Sequence, residues 1–352
     1  MRIACINQDP GISPKREKGA AIHLTAMRDA FTALGAEVCA FDEPDGAVLG
    51  EALDAEHGSA PFEIVYERYA LGAEAATRFA ERHGVFRVLE VNAPLEEEAR
   101  RWRAGIAPCD EAGNAVFSGA DLVVCVSEAV ARYAAERGAQ RRAIQVFPNG
   151  VDLERFRPWS QADGVERAVP EGRFVLGMHG RLRPWHGFER FARAARDLLG
   201  RGVDLHLLLV GSGDYRAHLE NHVPRSRVTL VPWVPHHRVG EFVAQFDCLP
   251  LTYPPDLPCY FSPLKLAEAM ACGVVPVVPR LGDLSTVVEE GVAGLFYEAE
   301  RLESLVDRLE ELACDRELRA RLARGAREAA ARLGWTRIAG SVLDAASGGV
   351  VR

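Results

Sequence analysis

The residues best suited to chemistry lie in the run Tyr260-Phe261-Ser262-Pro263-Leu264-Lys265-Leu266-Ala267-Glu268. Ser followed by Pro reads as a helix start, with Ser262 as N-cap and Pro263 at the first helical position. Lys265 then falls at the third helical position. A cation there opposes the helix dipole unless an anion lies between it and the exposed amides, and a bound phosphate would turn that cost into a site. Glu268 lies one turn further, on roughly the same face. The plainer alternative is a surface helix carrying a Lys265–Glu268 pair.

A second group is Gly180-Arg181-Leu182-Arg183-Pro184-Trp185-His186-Gly187, between an apolar strand and a helix. Arg181 and Arg183 could grip a diphosphate with planar forks, and His186 could donate to the same oxygens. The alternative is a turn with solvated arginines. A third is the loop GISPKREKGAAIH, residues 11–23. Lys15, Arg16 and Lys18 precede Gly19, which allows a backbone to approach an anion closely. This is not the dinucleotide-binding glycine fingerprint. His23 is either a polar contact in a cleft or a satisfied helix residue. Arg68 (after Glu67) and Asn92 fall at strand ends; Asn149-Gly150 and Gly211-Ser212-Gly213 are either ligand contacts or turns. There is no D-x-D pair, so a carboxylate-held metal bridging a diphosphate has no obvious ligands, and no metal site is expected.

These segments need strands and helices to hold them. Apolar runs rich in β-formers alternate with helical periodicity: 2–7, 36–41, 63–68, 86–92, 121–127 and 143–152 as strands, with helices at 20–35, 71–83, 95–104 and 128–137. After a polar linker, 153–172, the alternation restarts. Strands are expected at 174–180, 204–211, 227–234, 248–253, 274–279 and 294–297, with helices near 187–200, from 214, and at 238–245, 263–272, 283–290, 300–312 and 315–333. The class is therefore α/β, with two Rossmann-like, doubly wound domains whose ligands bind at the carboxyl ends of the strands, in the cleft between them. The expected division is 1–153 and 154–334, with a last helix near 335–352 packing back on the first domain.

Length agrees: 352 residues suit two domains. A formal charge of −8 argues against a nucleic-acid partner. The start MRIACINQDPGIS has no secretory h-region, and no stretch has the length of a membrane span. Eight cysteines without a C-x-x-C pair read as free thiols of a reducing compartment, so a cytoplasmic location is expected. Only three of the 42 basic residues are lysine: Lys15 and Lys18 fall in the N-terminal candidate loop, and Lys265 at the candidate anion-binding helix start.

The motifs together resemble the retaining glycosyltransferases of family GT4, with the GT-B fold. KGAAIHLTAMRDAFTALGAEV (18–38) is similar to that family's N-terminal glycine loop and first helix. DLVVCVSEAV with FPNGVDLERFRP resembles its crossover segment, and GRLRPWHGFE its G-R-L-x-x-x-K-G motif. LLLVGSGDY and SPLKLAEAMACGVVPVV resemble its nucleotide-binding signatures. The resemblance covers nearly the whole chain.

The resemblance implies a metal-independent, hexosyltransferase-type enzyme that moves a sugar from a nucleoside-diphosphate sugar, a UDP- or GDP-sugar, to an acceptor. It needs no cofactor, the sugar nucleotide being a substrate. Arg181 matches the arginine that holds the donor diphosphate, with Lys265 and Glu268 beside it; Glu268 matches the second glutamate of a two-glutamate motif and accepts from the ribose hydroxyls. Tyr260 stands where the first glutamate would be, and His186 where the family has lysine, with Arg183 as compensation. The donor side further includes Gly19, His23, Gly211, the amides near Ser262, Pro263 and Leu264, and Val234, whose backbone would read the base. Lys18, Arg68, Asn92 and Asn149 form the acceptor side, Asn92 standing where many relatives have a histidine. The absence of a basic amphipathic patch favours a soluble small-molecule acceptor or specialised metabolite over a membrane glycolipid. A GT-B epimerase or phosphorylase, or a non-catalytic sugar-nucleotide binder, would share the fold and the diphosphate grip.

Overall fold

The computed structural model describes residues 1–13, 18–102, 111–161, 165–213, 219 and 221–350. Lys15 and Arg16 lie outside them, as does most of the helix expected from 214.

The chain forms two compact units. The first comprises Met1–Gly150, Tyr260–Ser262 and Trp335–Arg352, the second Val151–Cys259 and Pro263–Gly334. Each is built on a six-stranded sheet whose pairings are all parallel.

In the first unit the strands are β1 (Arg2–Asn7), β2 (Glu37–Phe41), β3 (Ile64–Arg68), β4 (Phe86–Val91), β5 (Leu122–Cys125) and β6 (Ile144–Val146), in the order β2-β1-β3-β4-β5-β6. Helices cover both faces, so the central strands read as nearly unbroken apolar runs, and β1, β3 and β5 are buried at every position. The helices are α1 (Gly19–Ala33), α2 (Gly46–Ser59), α3 (Ala75–His83), α4 (Leu95–Trp102), α5 (Glu111–Ser118) and α6 (Glu128–Glu136). Two of them, α2 and α5, were not expected from the apolar pattern. Helix α2 starts where the Asp45 side chain accepts from the amides of Ala47 and Val48, and it buries only Leu49 and Leu53. The expected strand 143–152 stops at Val146, because Pro148 has no N–H for a ladder.

The second unit holds β7 (Phe174–His179), β8 (Leu205–Val210), β9 (Val228–Val231), β10 (Cys248–Pro250), β11 (Val275–Pro279) and β12 (Leu295–Tyr297), in the order β12-β11-β10-β7-β8-β9. Around them stand α7 (Phe188–Gly200), α8 (His236–Val243), α9 (Leu264–Ala271), the single turn α10 (Leu284–Val287), α11 (Leu302–Cys314) and α12 (Arg316–Ala330). The core joins Leu176 and Met178 of β7 to Phe191 and Leu198 of α7 and to Leu205, Leu207 and Leu209 of β8.

The last helix, α13 (Trp335–Val350), belongs to the first unit. It packs on α1, with Ala339, Val342 and Ala346 buried.

Candidate functional site

In both units the candidate residues gather at the carboxyl ends of the parallel strands, where loops are free of the helix layers.

In the second unit β7 ends at His179, and the chain turns through Gly180 to Arg181. Arg181 is exposed, and among the described residues its side chain joins no ion pair. Gly211, at the end of β8, lies against the Gly180 carbonyl; a Cβ there would stand 2.2 Å from that oxygen. Arg183 lies over the Trp185 ring, 5.6 Å from its centroid. Pro184–His186 form one 3-10 turn, and Gly187 (φ +63°) starts α7. A side chain at Gly187 would run into the Thr252 carbonyl, while the Thr252 hydroxyl donates to the His186 carbonyl at 2.8 Å. The arginine loop is thus pinned from beneath by the segment after β10.

Lys265 Nζ lies 3.2 Å from His186 Nε2. Burial pulls the Lys265 ammonium down to about 8, against the opposing pull of Glu268. Burial, then the Lys265 and Arg183 cations, push His186 down to about 2, so this imidazole is neutral and backs the lysine. Three cations, Arg181, Arg183 and Lys265, therefore gather here, and among the described residues none of them is in ion-pair contact with a carboxylate. The Lys265–Glu268 pair of the plainer alternative is not formed. Instead the buried Glu268 carboxylate receives His179 Nε2 at 2.7 Å on one oxygen and His236 Nε2 at 2.8 Å on the other. Burial pushes this carboxyl up, and the two histidine hydrogen bonds outweigh it, holding it at about 2.

Helix α9 starts one residue later than expected. Pro263 is the N-cap and no side chain caps the helix, so Lys265 is its second residue. Ser262 is not the cap, because its hydroxyl is already engaged: it accepts from the Asn149 backbone N–H at 2.7 Å. Val234 is half-buried beside the exposed Trp233 in the loop after β9.

In the first unit a buried polar cluster centres on Glu90 of β4. Its Oε1 accepts from the Tyr66 hydroxyl and faces His23 Nε2, both at 2.5 Å, and its Oε2 accepts from Arg68 at 3.2 Å. His23 Nδ1 lies 2.6 Å from Asn149 Oδ1, and the Asn149 amide nitrogen donates to the Ser262 carbonyl. Both ring nitrogens of His23 thus face acceptors, an arrangement that a doubly protonated imidazolium satisfies. Burial raises the Glu90 carboxyl, and His23 first, then Arg68 and Tyr66, bring it down to about 2. His23, Arg68 and Asn149, far apart in the sequence, are thereby brought together.

Other candidates lie around this cluster. Lys18 is the N-cap of α1 and its Nζ reaches the Gly11 carbonyl at 3.2 Å; Gly19 is the first residue of that helix, whose first turn holds no acidic residue. Asn92 follows β4, and its Nδ2 is buried without a hydrogen-bond partner among the described residues. Tyr260 is buried within the first unit: its hydroxyl donates to Glu98 Oε1 at 2.5 Å and its carbonyl accepts from the Ser127 hydroxyl. Among the described residues no group of three His, Cys, Asp or Glu is placed to hold a metal ion, and no helix is long and apolar enough to cross a membrane.

The reading from sequence passed over His179, Tyr66 and Glu90, and weighed His236, with His237, only as an improbable metal pair. Charged and polar side chains inside otherwise apolar parallel strands were the available signal, since such groups must find partners.

Comparison with known proteins agrees with this architecture. Residues 161–329 match the family described as glycosyl transferases group 1, and residues 61–155 match glycosyltransferase family 4. A D-inositol 3-phosphate glycosyltransferase of Nocardiopsis dassonvillei is 28% identical over 302 residues, 80% of this chain and 70% of that one. Its counterpart from Stackebrandtia nassauensis is 26% identical, covering 98% of this chain and 80% of its own. Among solved structures, Anabaena HepE in complex with UDP and glucose superposes with a TM-score of 0.69 at 20% identity, over 99% of this chain and 100% of that one. The catalytic domain of Arabidopsis starch synthase IV, bound to ADP and acarbose, gives 0.72 at 11% identity over 100% and 99%. The chain belongs to the family 4 type of glycosyltransferases and has the GT-B fold. It is an enzyme that transfers sugar.

Proposed function

We propose that this enzyme moves a sugar from a nucleoside-diphosphate sugar, a UDP- or GDP-sugar, to a soluble small-molecule acceptor with retention of anomeric configuration. The observation that carries this reading is the trio Arg181, Arg183 and Lys265, with no carboxylate partner among the described residues, beside the start of α9, which no side chain caps. On this reading the departing diphosphate lies against those cations and the first amides of α9. Breaking the sugar–phosphate bond leaves negative charge on the diphosphate, and preorganised donors stabilise it by several kcal/mol. Glu268, ionised at neutral pH, takes the ribose hydroxyls. With attack on the face the diphosphate leaves, the leaving group itself takes the acceptor proton, so no side-chain base and no cofactor is required.

The acceptor side is assigned to the first unit, with Lys18, Arg68, Asn92 and Asn149. The Asn92 amide nitrogen, which has no hydrogen-bond partner among the described residues, supports a hydroxyl-bearing acceptor. Relatives named for D-inositol 3-phosphate support a soluble phosphorylated polyol. Thermal-shift screening of UDP-, GDP-, ADP- and dTDP-sugars tests the donor, since binding raises apparent stability. Arg181→Ala and Glu268→Ala are each expected to lower kcat/KM by at least about tenfold. Unchanged transfer in both variants refutes the assignment, and donor turnover without any acceptor points to an epimerase instead.

A further inference from the structure

The Glu268 carboxylate is held from two sides, and the two histidines that hold it differ. His179 Nε2 reaches one oxygen, while its Nδ1 is buried with no partner among the described residues. His236, the first residue of α8, reaches the other oxygen from a ring whose far side is occupied. Arg155 donates from its guanidinium to His236 Nδ1 at 3.2 Å. A guanidinium carries only donors, so that nitrogen must accept and bear no hydrogen. The single ring proton is thereby assigned to Nε2, from which it is donated to Glu268 Oε1, 2.8 Å away.

Packing keeps this relay in place. Buried Phe156 lies with its ring 5.5 Å from the His236 ring. One turn along α8, Gly240 stands so close to the Arg155 carbonyl that a Cβ would come within 2.5 Å of it. The helix is therefore pressed directly on the backbone of 155–156. Asp152, 3.5 Å from the guanidinium, balances the arginine charge.

We infer that His236, with its proton fixed by Arg155, is a positioning residue that orients the Glu268 carboxylate toward a vicinal diol. The inference rests on the reading of Glu268 as the acceptor of ribose hydroxyls. With one lone pair on each oxygen engaged by histidine, the plane of the carboxylate is set, and the remaining lone pairs point one way. Two hydroxyls on adjacent carbons match that pair of acceptors. Discrimination between ribose and its deoxy forms then depends on His236, which never touches the ligand.

The test uses the full chain and calorimetry with UDP and GDP, each against its 2′,3′-dideoxy form. The wild type is expected to prefer the ribose form by about tenfold or more, the scale of one hydrogen bond to a charged group. His236→Leu should cut that ratio to about threefold or less, and His236→Gln, which restores an N–H donor, should recover most of it. In ¹⁵N-histidine spectra the wild-type His236 should show the Nε2–H tautomer alone, and Arg155→Met should mix the tautomers. Full discrimination in His236→Leu, with its loss in Glu268→Ala, overturns the positioning role and leaves the reading of Glu268 intact. Undiminished discrimination in Glu268→Ala, or a wild type that binds neither diphosphate or shows no ribose preference, overturns that reading itself.

Discussion

Replacing Glu90 by Gln tests the buried cluster of the first unit. Glutamine keeps an oxygen for Tyr66 and His23, but its amide then meets the Arg68 guanidinium, donor against donor, and the cluster loses its only carboxylate among the described residues. Arg68 is 8% exposed, so water cannot take over. The carboxyl lies at about 2 against an ordinary 4.5. At 1.36 kcal/mol per unit this is roughly 3 kcal/mol of stability. Its sign follows from the direction of the shift. A depressed carboxyl stabilises fully above the unfolded value near 4.5 and loses that contribution as pH falls toward 2. Urea unfolding followed by tryptophan fluorescence is the assay, because Trp335 stands edge-on to His23 with ring centroids 4.9 Å apart. Glu90→Gln should cost about 3 kcal/mol at pH 7 and far less at pH 3. A cost below about 1 kcal/mol at pH 7, or an equal cost at both, refutes the ionised cluster.

Three further outcomes follow from the second unit and from the contact at Ser262. Gly187→Ala places a Cβ 1.8 Å from the Thr252 carbonyl at a left-handed position, so the arginine loop must shift; thermal stabilisation by nucleotide should be lost, and its retention counts against the pinning. Lys265, pulled down to about 8, is an ammonium below that pH and a free amine above it. Diphosphate affinity measured calorimetrically should therefore fall between pH 7 and pH 9, and a flat profile contradicts a charge role. Asn149→Ala removes the side-chain bonds to His23 and the Ser262 carbonyl; a loss of about 1–2 kcal/mol in denaturant unfolding is expected, and none would show the contact to be idle.

The alternation of apolar strands with helices was legible because a parallel sheet covered on both faces leaves no polar side to interrupt the run. Helix α2 was hidden because it buries only two leucines, so its clearest signal is the Asp45 cap rather than a stripe. Arg181, Arg183 and Lys265 could be singled out as a candidate anion site from local sequence, because residue type and a place after a strand or at a helix start are enough to raise that reading. The partners of Glu268 were not, since His179 lies 89 positions away and His236 32, and only the sheet order brings them together. Ser262 shows the opposite failure: Ser-Pro is a sound local cap signal, and a tertiary contact with Asn149 overrides it.

The composition of the first unit, three separate stretches of chain, has a consequence for exchanging parts between relatives. A chimera joined once, near residue 150, would leave α1 without the helix that ends the chain. The His23 ring would also lose its Trp335 neighbour. A graft that carries 335–352 along with the N-terminal half keeps that packing intact. In any such exchange the last helix should be inherited with the half that begins the chain, not with the half that precedes it.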